Sequence, residues 1–199
     1  MSCPYINNDF CKRLSSETRA EVCAHCTIKQ FAQGQHLSEE YFAHKYVLIL
    51  EGMMVKMELD PLTQKMTTSG IGCRGAIFSI GDVFQLPLQL TQEERTSICI
   101  SDCVAAVFDM DFVRHLYQTN VEFVRISYQN SYHYCIREKA VMMRDIGRGD
   151  VYRGIRYVVK YCKEHGIPQL THEQIALVTS RSRPTVTSVM HQLIKQEPE

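Results

Sequence analysis

The hydrophobic positions of this chain follow two different periods, and the change falls near residue 111. Before that point, short apolar runs alternate with Gly, Asp and Pro residues, which is the pattern of consecutive β-strands joined by turns. A short helix is predicted at 12–26, and strands are predicted at 46–50, 53–59, 65–71, 96–100 and 104–108. Many short strands with regular turns favour a sandwich or a barrel-like roll.

Beyond residue 111 the apolar positions recur at three- and four-residue steps, which predicts helices. The first is expected to be a long helix of about 25 residues, whose stripe fits a second copy of itself. The stripe consists of Val121, Val124, Tyr128, Cys135 and Met142. The alternative is a long helix that packs only on its own domain. A second helix carries Ile155, Val158, Val159 and Cys162 on one face and stops before Gly166 and Pro168.

The last thirty residues predict two short helices joined by a polar break. Thr171 is a good N-cap, and Gln174 three residues later completes a capping box. The residues 179–182 form the break, Ser182 can cap the next helix, and Pro184 falls in its first turn. The expected apolar faces consist of Ile175, Ala176 and Val178 in the first helix and Val186, Val189, Met190, Leu193 and Ile194 in the second.

This pair of helices has the sequence pattern of a helix-turn-helix, in which the second helix enters the major groove of DNA. Arg183 is placed to read a guanine, because its fork matches two acceptors on that base. The predicted DNA-binding residues are Arg181, Ser182, Arg183, Thr185, Thr187, Ser188, His191 and Lys195. The alternative is a plain helical hairpin with a solvated polar face.

Charge supports DNA binding only locally. The chain has 22 basic and 22 acidic residues, so its net charge of zero gives no general attraction to nucleic acid. Between residues 181 and 196, however, there is no acidic residue. Phosphate contacts supply most non-specific affinity for DNA, so this small basic patch is expected to be doubled by dimerisation.

Other classes of protein find little support. No apolar run approaches the length of a membrane span, and the first residues do not resemble a signal peptide, so a cytoplasmic location without a membrane partner is expected. The nine cysteines are then expected to be thiols, metal ligands or redox sensors rather than a disulfide framework. No nucleophile elbow, phosphate loop or zinc-protease motif is present, so the chain is not expected to be an enzyme.

Three segments resemble the bacterial Crp/Fnr family, the relatives of the cyclic-AMP receptor protein. They are V-C-A-H-C-T-I-K-Q-F-A-Q-G-Q-H-L at 22–37, Y-V-L-I-L-E-G-M-M at 46–54 and S-R-P-T-V at 182–186. The last is similar to the family's S-R-E-T-V. By this resemblance Arg183 matches a base-contacting arginine, whereas Pro184 and Ser188 replace residues that often read cytosine and guanine. Those two departures put the usual operator in doubt.

The resemblance implies an α+β architecture, with a jelly roll like that of cyclic-nucleotide-binding domains followed by a dimerisation helix and a helix-turn-helix. The implied domains are a sensor roll at 1–116, a dimerisation helix at 117–146 and a DNA-binding domain at 147–199. The β-wing that usually follows the recognition helix is expected to be short or absent. Implied partners are double-stranded DNA, a second copy of the chain and RNA polymerase. The rival hypothesis is a ligand- or redox-sensing module whose short C-terminal domain no longer binds DNA.

The signal that the roll senses stays open. The resemblance places an effector pocket at Gly75, Ala76, Arg95, Thr96, Ser97 and Tyr128. In nucleotide-binding members a glutamate that bonds the ribose stands at the position of Ala76, so cyclic AMP is not expected as the effector. Cys3, Cys11, Cys23 and Cys26 could instead hold an iron–sulfur cluster or zinc. The remaining alternatives are a thiol redox switch, a haem ligated by histidine, another small ligand in the roll, and no ligand.

Overall fold

The structure is a computed structural model that describes residues 8–60, 62–78, 83, 95–132 and 150–196. Its strands are β1 (Thr27–Phe31), β2 (His36–Ser38), β3 (Lys45–Glu51), β4 (Met54–Asp60), β5 (Lys65–Gly72), β6 (Ile77–Phe78), β7 (Arg95–Cys99) and β8 (Cys103–Asp109). Its α-helices are α1 (Ser16–Ala24), α2 (Glu39–His44), α3 (Met110–Thr119), α4 (Val121–Ser131), α5 (Val151–Glu164), α6 (His172–Thr179) and α7 (Arg183–Gln196).

The strands form two four-stranded antiparallel sheets. The first sheet has the order β1-β8-β3-β6, and the second has the order β2-β7-β4-β5. Among the described strands, neighbours in the chain pair only in the β4–β5 hairpin, and the other ladders join distant segments. The predicted β-roll is confirmed.

The central strand β3 is covered on both of its faces, which explains why it is apolar at successive positions. In β3, Val47 and Ile49 contribute to the core between the sheets, whereas Leu48 and Leu50 pack against helices on the outside. Because side chains alternate along a strand, a run with no polar position is expected only where both faces are buried. The run 46–50 is such a case, and all five of its residues are buried.

Each sheet has its own helical layer. Against the first sheet pack α1, α3 and α4, through side chains that include Val22, Val113, Leu116, Phe123 and Ile126. Against the second sheet pack α5, α6 and α7, through side chains that include Ile155, Val158, Ile175, Val186 and Met190. The C-terminal helices thus share one apolar core with the β-roll of the same chain.

Three details of the helices differ from the sequence prediction. The segment predicted as one helix at 12–26 is a 3-10 turn at Cys11–Arg13 followed by α1. Helix α2 was not predicted. The helix that carries the predicted stripe begins at Val121, because Asn120 has an extended backbone and its side chain accepts a hydrogen bond from the Phe123 N–H at 2.9 Å. Within the described ranges, no helix combines the length and apolar composition that a membrane span needs.

Candidate nucleic-acid interface

The first helix of the candidate interface, α6, begins with the predicted capping box. The Thr171 hydroxyl accepts a hydrogen bond from the Gln174 N–H at 3.2 Å, and the Gln174 side-chain oxygen accepts one from the Thr171 N–H at 2.6 Å. Two of the backbone donors that a helix start leaves without partners are thereby satisfied. Of the apolar face, Ile175, Ala176 and Val178 are buried, as predicted.

A sharp turn joins α6 to α7. Ser180 adopts the left-handed conformation with φ 52° and ψ 41°, and the N–H of Arg181 donates to the Ala176 carbonyl at 2.9 Å. The Ser182 hydroxyl then accepts a hydrogen bond from the Thr185 N–H at 3.4 Å and lies 2.7 Å from the Thr185 hydroxyl. Pro184 lies in the first turn of α7, where its missing N–H removes no helical hydrogen bond.

The inner face of α7 contains Val186, Val189, Met190 and Leu193, all of which are buried as predicted. Ile194 is the exception, because its side chain is 68 % exposed. One residue of a helix turns through about 100°, so Ile194 lies beyond the edge of the stripe that faces α5 and α6. Its assignment to the core was wrong.

The outer face of α7 presents most of the predicted DNA-binding side chains to solvent. Ser182, Arg183, Ser188, His191 and Lys195 are exposed, and Arg181, Thr185 and Thr187 are half-buried. The Thr187 hydroxyl is already engaged within the protein, since it lies 2.9 Å from Nδ1 of His172 and donates to the Arg183 carbonyl at 3.0 Å. Thr187 thus faces α6 more than it faces outward, and its role at DNA stays a prediction.

The β4–β5 hairpin lies beside this interface. The Thr68 N–H donates to the Ser180 hydroxyl at 3.1 Å, and the Thr68 hydroxyl donates to the Leu177 carbonyl at 3.2 Å. Between the hairpin and the helices lies an open groove of about 760 Å³, whose charged lining consists of Asp60, Lys65, Glu173, Arg181 and Arg183. Hydrogen bonds from Thr63 and from the Leu62 N–H lower the pKa of Asp60 and stabilise its ionised carboxylate at the groove.

The predicted effector residues lie in different layers of the roll. Ala76 is buried between the sheets, and Ser97 is buried on the same side of β7 as Cys99. Thr96 is half-buried, and its side chain lies on the opposite face of the sheet from that of Ser97. The backbone of Arg95 pairs with that of Glu58. Residues 84–94, which connect this strand to Val83, lie outside the described residues.

Two of the predicted effector residues, Gly75 and Tyr128, involve helix α4: Gly75 contacts it and Tyr128 belongs to it. The Gly75 carbonyl accepts a hydrogen bond from the side-chain amide of Asn130, a buried polar residue of α4. No motif in the sequence marks Asn130 as a functional residue. Tyr128 is 64 % exposed and points away from the roll core, so it lies on the same face as the predicted dimer stripe.

The predicted dimer stripe lies on solvent-facing positions of α4 as far as the helix is described. Val121 is 83 % exposed, Tyr128 is 64 % exposed and Val124 is half-buried. Large apolar side chains left open in this way are typical of a surface that another chain covers. Cys135 and Met142, the other two members of the stripe, lie outside the described residues.

The cysteines proposed as metal ligands are only partly described. Cys11 is buried, Cys23 and Cys26 are half-buried, and Cys3 lies outside the described residues. Among the side chains that the structure describes, no three His, Cys, Asp or Glu residues are grouped in a way that could hold a metal ion. A cluster that includes Cys3 stays a prediction.

Comparisons with known proteins give a likeness of structure only. No sequence-family profile and no curated protein matches the chain. A CRP-family transcriptional regulator of Thermus thermophilus superposes with a TM-score of 0.63 at 16 % identity, covering 84 % of this chain and 85 % of that one. The c-di-GMP-responsive global regulator CLP of Xanthomonas campestris gives 0.64 at 15 % identity, covering 92 % and 93 %.

A third structure, FixK2 of Bradyrhizobium japonicum, gives a TM-score of 0.62 at 12 % identity, covering 86 % of this chain and 85 % of that one. All three superpositions extend over both the roll and the C-terminal helices, since each covers more than four-fifths of the chain. The resemblance noted in the sequence is therefore confirmed at the level of the fold. This chain has the fold of the Crp/Fnr transcriptional regulators.

Proposed function

We propose that this chain is a homodimeric, cytoplasmic transcription regulator that binds double-stranded DNA sequence-specifically through α6 and α7. The observation that carries the proposal is the outer face of α7, where Arg183, His191 and Lys195 are exposed and no acidic residue occurs in the helix. Regulators of transcription that share the fold support it.

The residues of α7 divide into two roles by position. Arg183 stands in the first turn of the helix, which in a helix-turn-helix is the part that meets base edges. Arg181 precedes the helix and Lys195 lies in its last turn, so both flank the groove-reading residues and fit phosphate contacts. RNA polymerase is a further partner of the bound regulator in this proposal.

The experiment that tests the proposal is fluorescence polarisation with genomic DNA fragments over a series of salt concentrations. A regulator is expected to select a subset of fragments and to lose affinity steeply as salt rises, because bound cations are released from the phosphates. Failure to bind any fragment at low salt would instead favour the rival hypothesis of a sensor module without DNA binding.

The dimer is proposed to form through the exposed stripe of α4. Tyr128→Glu is expected to convert the dimer to monomers, because burying an unpaired carboxylate in an interface costs about 3–5 kcal/mol. Sedimentation velocity measures this change. Since Tyr128 is largely exposed within one chain, the variant monomer should fold normally.

Gln129→Glu is the matched control for the dimer experiment. It places the same charge on the next residue of α4, which is also exposed but lies off the stripe, and its side chain accepts a hydrogen bond from Arg13 that a carboxylate can also accept. The control should remain dimeric. If both variants stay dimeric, the interface lies elsewhere.

Cyclic AMP is not expected to be the effector. Ala76 is buried between the sheets and offers no acceptor to a ribose hydroxyl. Leaving one buried hydroxyl without a partner costs about 1–3 kcal/mol, which lowers affinity by roughly one to two powers of ten. Calorimetry with cyclic AMP and cyclic GMP tests this expectation. A dissociation constant in the low micromolar range, together with stronger DNA binding, would contradict it.

A further inference from the structure

Two cysteines lie where the chain crosses from one sheet of the roll to the other. Cys99 ends β7 in the second sheet, and Cys103 begins β8 in the first. Each side chain is 1 % exposed, and both belong to the apolar core between the sheets. The turn 100–102 joins them, and its Asp102 is exposed. Two thiols therefore share one buried site that lies directly beneath a surface turn.

Hydrogen bonds fix the backbone around this pair. The Met53 carbonyl accepts from the Ile100 N–H at 2.8 Å and from the Cys103 thiol at 3.3 Å. The Cys99 N–H donates to the Gln35 carbonyl at 3.0 Å. The thiols of Cys99 and Cys103 are hydrogen-bonded to each other. The fold thus places the two thiols in one core, on either side of the turn 100–102.

The two thiols differ in acidity. The hydrogen bond from Cys99 lowers the pKa of the Cys103 thiol, and the same bond, together with burial, raises the pKa of Cys99. Cys103 therefore loses its proton first, and the thiolate is the form that attacks a disulfide. Cys162 in α5 differs from both, because burial alone raises its pKa to about 11.

We propose that Cys99 and Cys103 form a redox-active dithiol that closes to an intrachain disulfide and thereby changes the contact between the second sheet and α6. The oxidant is a low-molecular-weight disulfide. The Cys103 thiolate attacks one of its sulfur atoms, forms a mixed disulfide and releases one thiol. Cys99 then gives up its proton and attacks the Cys103 sulfur, which releases the second thiol. Two electrons and two protons pass to the reagent.

The turn between the cysteines carries the contact that oxidation would change. The Ile100 carbonyl accepts a hydrogen bond from the Gln174 side-chain amide at 2.5 Å, and Gln174 also closes the capping box of α6. Bonded sulfur atoms lie about 2 Å apart, closer than two thiols that are only hydrogen-bonded, so we expect disulfide formation to shift the turn 100–102. The meaning of this movement for gene regulation rests on the proposed DNA-binding function of α6 and α7.

The chemistry is tested on the native full-length chain with oxidised glutathione, followed by acid quenching, alkylation of the remaining thiols and mass spectrometry. Trypsin releases the peptide 96–114, in which Cys99 and Cys103 are the only cysteines. After oxidation this peptide is expected to carry no alkyl group. Its mass should be two hydrogen atoms lower than that of the same peptide with both thiols reduced and unmodified. A peptide that remains doubly alkylated after incubation would overturn the proposal.

Single variants test the order of attack. Cys99→Ser should accumulate a glutathione adduct on Cys103, because the resolving thiol is gone, whereas Cys103→Ser should leave Cys99 reduced. Cys162→Ser is the control and should close the disulfide like the unsubstituted chain, since Cys162 lies in the helical layer. Equal adducts in both single variants would overturn the assignment of Cys103 as the attacking thiol.

The effect on α6 is tested by hydrogen exchange, which requires no DNA. Oxidation is expected to speed amide exchange in residues 172–179 by about fivefold or more, because a helix start with a weakened cap opens more often. Unchanged exchange in an oxidised sample would overturn the transmission step. Neither readout depends on DNA binding, so failure of this proposal is distinguishable from failure of the proposed function.

Discussion

Gly52→Ala is expected to lower the free energy of unfolding by more than about 3 kcal/mol, which is a large part of the stability of a typical domain. Gly52 has φ +85°, and a Cβ atom there would lie 2.2 Å from the Asp102 carbonyl oxygen and 2.9 Å from Cα of Cys103. Both neighbours are backbone atoms of the crossing between the sheets, so they cannot move aside without disturbing the ladders on either side.

Gly34→Ala is the matched control. Gly34 has a similar φ of +78°, but an added Cβ would meet nothing within 4 Å. Its cost is therefore the conformational strain alone, about 1–2 kcal/mol. Urea unfolding followed by far-ultraviolet circular dichroism measures both variants. If the two substitutions lowered the free energy of unfolding by the same amount, the close approach of the 51–53 and 101–103 turns would not determine stability.

The strands β3, β4, β5, β7 and β8 could be predicted because each is a short run bounded by turn residues. The strands β1, β2 and β6 were not predicted, since β1 is mostly polar and exposed and the other two are only three and two residues long. The β4–β5 hairpin was predictable as well, since its strands are adjacent in the chain and Asp60 begins the turn between them. The pairing of β1 with β8 and of β2 with β7 could not be predicted. Nothing local marks segments so far apart in the chain as partners, because their pairing depends on the closure of the whole roll.

Two helices show features that hydrophobic periodicity cannot predict. Helix α2 has only six residues, too few to display a helical repeat, although Ser38 caps it by accepting a hydrogen bond from the Tyr41 N–H at 3.2 Å. The stripe of α7 was predicted correctly at four positions and wrongly at Ile194, because a period assigns a residue to a face but cannot say how far the neighbouring helices extend.

The hydrogen bonds that connect the helices to the sheets could not be predicted from the sequence. Thr68 in β5 and Asn130 in α4 each bond a distant backbone or hydroxyl group, and neither belongs to a motif. The sequence predicted that Gln174 caps α6, but it did not predict the hydrogen bond from Gln174 to the Ile100 carbonyl. An amide side chain has an acceptor and a donor, so it can bond a local partner and a distant partner at the same time. The candidate interface was therefore predictable in its local geometry but not in its attachment to the roll.

Arg183→Ala is expected to weaken binding to the preferred operator by about 1–3 kcal/mol, or roughly ten- to hundredfold, and to relax the preference at one base pair in each half-site. Arg183 is exposed in the first turn of α7, and its neighbour Ser182 caps the helix independently. The substitution should therefore leave the fold intact. Polarisation against a set of operators with single base changes measures both effects.

Lys195→Ala is the control that separates base reading from general attraction. Lys195 is an exposed cation in the last turn of the same helix, so its loss should weaken all sequences alike and reduce the slope of log affinity against log salt by about one unit. Arg183→Ala should change the ranking of operators, and Lys195→Ala should not. If Arg183→Ala also lowered affinity equally for every operator, Arg183 would be a phosphate contact, and sequence preference would have to come from Ser188, His191 or the shape of the DNA.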